Sequence, residues 1–204
     1  MIYIVGLGPG SKDYMLLKAT EILESSDLII GFKRALKSID FIAVPKLSAK
    51  DLKETLELLT ENEHRKISIV ASGDPCFYGI LDYIRKNYNG QIEVIPGISS
   101  FQYLIAKLNK CWQGSFLGSL HGREEAFIEK VEENAVSIWL TDRVNSPEAI
   151  CKKLYEEKLK VKVYVGENLS YSDEKISTGY PEELMNNRFS ELSVVVIEND
   201  LHKG

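Results

Sequence analysis

The sequence predicts an α/β protein of two domains, the first built on a mostly parallel sheet. Three observations carry this. Short β-branched runs alternate with segments of helical period. In the first half the alternation is regular, as in consecutive βαβ units whose sheet is covered on both faces. Around Lys110–Ser115 the text becomes irregular, "KCWQGS", and a second series of strands begins. The domains are therefore expected at 1–111 and 112–204.

Taken in order, "IYIV" (2–5) follows no basic stretch and breaks at Gly6, so it reads as a strand and not a targeting signal. A helix is expected near 14–25, then strands "DLII" (27–30) and "FIAV" (41–44). Leu52, Leu56 and Leu59 recur at helical spacing and predict a helix over 50–60. "ISIVA" (67–71) is apolar enough for a central strand; a helix over 77–88, strand "IEVI" (92–95) and a helix over 99–108 complete this half. The second half offers strands "FLGSL" (116–120), "VSIWL" (136–140), "VKVYV" (161–165) and "SVVVI" (193–197), with helices near 123–133 and 146–157. "NSPEAI" (145–150) is a strong helix start, because Asn145 or Ser146 can cap orphan N–H groups and Pro147 suits the first turn.

Composition excludes several functions. The 204 residues carry a formal net charge of -5, which argues against nucleic acid or an anionic membrane as the main partner. No window approaches the roughly 18 apolar residues of a membrane helix. Cys76, Cys111 and Cys151 form no C-x-x-C pair, and His64, His121 and His202 are scattered, so reduced thiols in a cytoplasmic protein without a structural metal are expected.

The chemistry-bearing motifs all sit at strand ends. "GLGPG" (6–10) has Ser11 where a dinucleotide fingerprint needs a further glycine, and no Gly-Lys-Ser/Thr follows, so it is neither a NAD loop nor a P-loop. Ser72-Gly73-Asp74-Pro75 and "PGISSF" (96–101) end two more strands. Alone, Asp74 would be a turn residue and Ser99 a helix cap. Three such turns within one half-chain read as a ligand-binding rim. "SLHGR" (119–123), "LTD" (140–142) and "ENLS" (167–170) repeat the arrangement in the second half. His121 and Arg123 would by default be surface residues; together they can handle a proton and an acidic substrate. Asp142 and Glu167 read as capping or solvated residues that can also face a cleft between the halves, a favoured ligand position.

In the order "GLGPG", "SGDPCFYGI", "PGISSFQYL", "SLHGR", "LTD", "NSP" and "ENLS", the chain resembles the tetrapyrrole methylases over nearly its whole length. "PGISSFQYL" with "SLHGR" resembles the cobalamin-pathway branch that methylates C5. The resemblance implies two α/β domains, the first with a Rossmann-like, mostly parallel sheet and the second with a mixed sheet. It also implies S-adenosylmethionine as cofactor, lined by Pro9, Gly73, Asp74, Phe77, Tyr78, Ser99 and Ser100 and, from the second domain, Leu140, Thr141 and Leu169. A precorrin or cobalt-precorrin would be the substrate, with Lys33 and Arg34 meeting its carboxylates and His121 and Arg123 as catalytic candidates. The family further implies a cytoplasmic homodimer. At 204 residues the chain is read as lacking the fused domain of some relatives, so a separate C15-methylating decarboxylase is an expected partner. Where the family has a Leu-Thr pair after "GPG", this chain has Met15-Leu16, which removes a hydroxyl from a helix cap or cleft. The competing readings are a superfamily member of the diphthine synthase or ribosomal RNA methylase type, and a non-catalytic nucleotide-binding module.

Overall fold

The computed structural model describes residues 1–122 and 126–202. Its contacts divide the chain into two compact units, Met1–Ser99 and Ser100–Gly204.

The first unit holds β1 (Ile2–Gly6), β2 (Leu28–Phe32), β3 (Lys46–Ala49), β4 (Ile67–Ala71) and β5 (Ile92–Ile95) in the order β3-β2-β4-β1-β5. Every pairing is parallel. Side chains of a strand alternate between faces, so Ile2 and Ile4 pack with α3 (Leu52–Glu61) and α4 (Leu81–Asn87). Tyr3 and Val5 pack instead with α1 (Leu17–Glu24) and α2 (Lys33–Lys37). Asp51 caps α3 by accepting the Glu54 N–H at 2.8 Å. No such acceptor starts α1: Leu16 occupies its N-cap without a side-chain bond.

"FIAV" (41–44) forms no strand. Ile42 is buried in the α1/α2 core, and the edge strand β3 starts only after Pro45, on the polar text "KLSA". The Ile29 N–H donates to the Pro45 carbonyl at 2.9 Å, so pairing with β2 begins where proline still offers an acceptor.

The second unit holds β6 (Phe116–Ser119), β7 (Val136–Leu140), β8 (Val161–Glu167), β9 (Lys175–Gly179) and β10 (Ser193–Asn199) in the order β6-β7-β10-β8-β9. Only β6 and β7 run parallel, so this sheet is mixed. One face packs on α6 (Phe127–Glu133), α7 (Pro147–Glu156) and α8 (Pro181–Leu184) through Phe127, Val131, Ile150, Leu154 and Leu184. Trp139 is fully buried there; its ring fills the space over Gly118 and its indole N–H donates to Ser137 Oγ at 2.9 Å. Ser146 caps α7 and Pro147 opens it, as the sequence indicates. Burial, with Glu148 adding, pushes the Cys151 thiol up to about 12, the behaviour of an inert core residue. α5 (Ser100–Lys107) packs on β7 and β10, which places it with the second unit.

Candidate active site

In the first unit, β1 and β4 are neighbours, yet the chain leaves β1 toward β2 and leaves β4 toward β5. The two connections therefore lie on opposite faces of the sheet, and their loops begin side by side at the strands' carboxyl ends, the position where open α/β sheets bind ligands. "GLGPG", "SGDP" and "PGISS" all start there.

The three turns are interlocked. Gly8 and Gly73 exchange backbone hydrogen bonds of 3.3 and 2.8 Å, and the Leu7 N–H donates to the Ala71 carbonyl at 2.9 Å. A Cβ on Gly6 would lie 2.6 Å from the Gly97 nitrogen and 2.8 Å from the Gly73 oxygen; one on Gly97 would overlap that same oxygen. Gly6 and Gly97 are thus required by loop-on-loop packing. Gly73 differs. It has a φ of +67°, and a Cβ there would meet nothing nearer than Ser99 Cα at 3.6 Å, so beside Ser99 its backbone is left bare.

Asp74 serves the turn directly. Its Oδ1 accepts the Cys76 N–H at 2.7 Å and its carbonyl accepts the Phe77 N–H at 3.2 Å. The Phe77 and Tyr78 rings meet edge to face at 4.9 Å, with Tyr78 exposed and at a φ of 51°. Pro9 is half-buried and Ser99 buried. Lys33 and Arg34 open α2 at the carboxyl end of β2, exposed and outside any ion pair among the described residues.

In the second unit the strand register sets a row across one end of the sheet. Ser119 pairs with Leu140, Leu140 with Val194, Ser193 with Glu167, and Glu167 with Lys175. The turns bearing His121, Thr141 and Leu169 all leave from this row. The Thr141 hydroxyl donates to the Ser193 carbonyl at 2.8 Å, and the Thr141 carbonyl lies 3.1 Å from His121 Nδ1. A carbonyl only accepts, so this contact selects the Nδ1–H form of a neutral imidazole and leaves Nε2 as the acceptor.

Asp142 ties the neighbouring turns together. Its Oδ1 accepts the N–H groups of Asn145 at 2.7 Å and Val144 at 2.9 Å, and Oδ2 accepts that of Gly122 at 2.8 Å. The Asn145 and Gly122 N–H groups hold its carboxyl below the usual range against the opposing effect of burial, with Val144 and His121 adding to the depression. The Asn145 amide in turn donates to the Leu120 carbonyl at 3.1 Å.

Leu169 is buried between Asn168 and Ser170, whose φ angles of 45° and 69° are both left-handed. Glu167 Oε1 accepts the Ser190 N–H at 2.9 Å, while its buried Oε2 has the Lys175 ammonium at 3.8 Å. Leu140 is half-buried at the end of β7, and Ser100 is the first residue of α5. Arg123 lies outside the described residues.

The first unit thus sets Pro9, Gly73, Asp74, Phe77, Tyr78 and Ser99 in the turns that follow β1, β4 and β5, and the second sets Leu140, Thr141, His121 and Leu169 along one end of its sheet. Sequence reasoning missed Asn168 and Ser190 as residues that shape this end of the sheet. Asn168 carried a signal, since asparagine tolerates left-handed backbone; Ser190 lies in text without periodicity or turn signature.

The family model described as Tetrapyrrole (Corrin/Porphyrin) Methylases matches residues 1–184. The chain is 38% identical over 211 residues to a probable cobalt-precorrin-7 C(5)-methyltransferase of Methanocaldococcus jannaschii, covering 98% of this chain and 99% of that protein. Among solved structures it is similar to the precorrin-6Y methylase (cbiE) of Archaeoglobus fulgidus, with a TM-score of 0.78, 23% identity and 98% of each chain covered. It is also similar to a uroporphyrin-III C-methyl transferase of Thermus thermophilus, solved in complex with S-adenyl homocysteine. There the TM-score is 0.75, with 18% identity, 97% of this chain and 91% of that one covered.

Proposed function

Because the chain belongs to the tetrapyrrole (corrin/porphyrin) methylases, we propose that it is an S-adenosylmethionine-dependent methyltransferase acting on C5 of a cobalt-precorrin in cobalamin biosynthesis. The observation that carries this reading is the 38% identity to a C5-methyltransferase over 98% of this chain and 99% of the relative.

The cofactor, when bound, supplies an electrophilic methyl group on a sulfonium sulfur. The residues present suit it: bare backbone at Gly73 beside Ser99, aromatic Phe77 and Tyr78, and apolar Pro9, Leu140 and Leu169. These, with Asp74, Ser100 and Thr141, are the proposed cofactor contacts. Asp74 acts there mainly by shaping the turn, because one carboxylate oxygen already holds the Cys76 N–H.

Methylating a ring carbon requires holding the macrocycle in register with the donor, and orientation supplies much of the rate. A protein nucleophile is not needed. His121 is the proposed proton acceptor or ring-orienting group, its Nε2 left available by the Thr141 carbonyl. Lys33, Arg34 and Arg123 are the proposed partners for the substrate's carboxylates. A cytoplasmic homodimer, with C15 methylation and decarboxylation left to a separate protein, completes the proposal.

The test is incubation with methyl-labelled S-adenosylmethionine and a cobalt-precorrin lacking the C5 methyl group, with NMR location of the label. Label at C5 is expected. Label at another ring position, or none while the cofactor binds, would refute the C5 assignment, and the metal-free precorrin in parallel reports whether cobalt is needed.

A further inference from the structure

Glu174 lies after the "ENLS" turn in a stretch that no motif marks, yet its carboxylate gathers contacts from two elements. Oε2 accepts the Ser170 N–H at 2.7 Å, and Oε1 lies 3.1 Å from the Lys107 ammonium. The Tyr103 side chain hydrogen-bonds the same carboxylate. Tyr103 and Lys107 are four residues apart and share one face of α5. An apolar contact lies beside this polar one: a Cβ on Gly166 would be 2.8 Å from both Leu104 and Leu169, so the two leucines close over that glycine.

The turn held in this way is strained. Left-handed Asn168 and Ser170 flank Leu169, and such backbone persists only when its surroundings over-determine it. Asn168 is held through its own side chain, which donates to Asp173 and accepts from Ser190, each at 2.8 Å. On the other side of Leu169, the Ser170 N–H is held by Glu174. The carboxylate is 18% exposed against 45% for the Lys107 side chain, so the bond to the backbone is the better protected of the two. An ion pair at such exposure contributes little by itself.

We propose that Glu174 is a positioning residue of the cofactor site: it fastens the turn carrying Leu169 to α5, the helix that begins at Ser100, and so sets the affinity for S-adenosylmethionine without touching it. The proposal rests on the reading of Leu169 as a cofactor contact. It assigns the main effect to the hydrogen bond accepted from Ser170 and a minor one to the charge.

The experiment compares wild type, E174A, E174Q and L169A by calorimetric titration with S-adenosylhomocysteine and by methyl-transfer kinetics. Loss of one protected hydrogen bond corresponds to about a three- to tenfold change in affinity. E174A is expected to raise the dissociation constant and the KM for S-adenosylmethionine by that factor with kcat nearly unchanged. E174Q, whose amide oxygen still accepts the Ser170 N–H, is expected to restore most of the affinity. Should E174A not fold, E174D carries the same test, because its shorter side chain withdraws the acceptor while keeping the charge. Unaltered cofactor affinity in the folded Glu174 variants, with L169A weakened, overturns the proposal and leaves the site reading standing. Unaltered affinity in L169A as well overturns both.

Discussion

His121 Nδ1 sits 3.1 Å from the carbonyl oxygen of Thr141, the residue whose own hydroxyl is bound to the Ser193 carbonyl at 2.8 Å. The imidazole is thereby tied by one nitrogen to the end of β7, in the tautomer that keeps Nε2 available. His121→Gln is expected to lower kcat by about 10²-fold or more, the scale of a general acid–base group, with the KM for S-adenosylmethionine little changed. Steady-state methyl-transfer assays check this, and full turnover in the variant would remove His121 from the mechanism.

Gly97 and Gly73 lie in adjacent turns but should fail differently. Gly97→Ala drives a methyl onto the Gly73 carbonyl oxygen, an overpacking that costs about 1–3 kcal/mol. Its melting temperature should fall by roughly 2–4 °C per kcal/mol. Gly73→Ala finds space at 3.6 Å from Ser99 Cα but must hold a φ of +67°, at about 1–2 kcal/mol. Its methyl also covers the bare backbone, so cofactor affinity should drop more in this variant than in Gly97→Ala; melts and calorimetry separate the two.

Asp142 predicts an acid-sensitive contribution. Its folded carboxyl titrates below the ordinary value of about 3.9 because Asn145 and Gly122 donate their N–H groups to it. The stabilisation is therefore complete above that unfolded value and is lost as pH falls through the lower folded one. Asp142→Asn should be less stable than wild type at pH 7, and the difference should shrink on acidification below about pH 4. Urea melts at neutral and acidic pH measure it; a gap independent of pH would contradict the assignment.

Leu16 holds the N-cap of α1 without a side-chain acceptor. Leu16→Thr restores a hydroxyl at that position and should stabilise the protein by about 0.5–1 kcal/mol, read as a higher urea midpoint at unchanged slope. An unchanged or lower midpoint would refute the missing cap as a cost to stability.

Lys33 and Arg34 are exposed at the end of β2. Changing both to Ala should raise the KM for the polycarboxylate substrate several-fold and flatten its dependence on salt, because screened charge attraction is what is lost. The KM for S-adenosylmethionine should not move.

The central strands were legible because a strand covered on both faces is mostly apolar; "ISIVA" coincides with β4, in the middle of its sheet. Of the edges, β5 and β6 were legible from "IEVI" and "FLGSL", but β3 and β9 were not. β3 and β9 each pair on one side only and carry polar, partly exposed residues, so the apolar "FIAV" drew the strand assignment that belongs to "KLSA". The helix of "PGISSFQYL" was visible by period, but period does not say which sheet a helix will cover; the expected boundary at 111/112 follows α5 and the contact boundary precedes it. The site motifs stood out because turns demand particular residues. That Gly6 and Gly97 serve packing while Gly73 is left bare depends on distances between loops far apart in sequence, which no local pattern encodes.

The interlocking of Gly6, Gly73 and Gly97 has a thermodynamic side. Loops hydrogen-bonded at Gly8 and Gly73 and packed glycine on glycine at Gly6 and Gly97 lose their freedom when the chain folds and not when a ligand arrives, so association there carries little ordering entropy. Amide protons of the three turns should exchange together, as one cooperative patch opening only with the sheet beneath them. A surface of that kind behaves as a rigid template: substitutions within it change what fits, but give it little capacity to adapt its shape to a different guest.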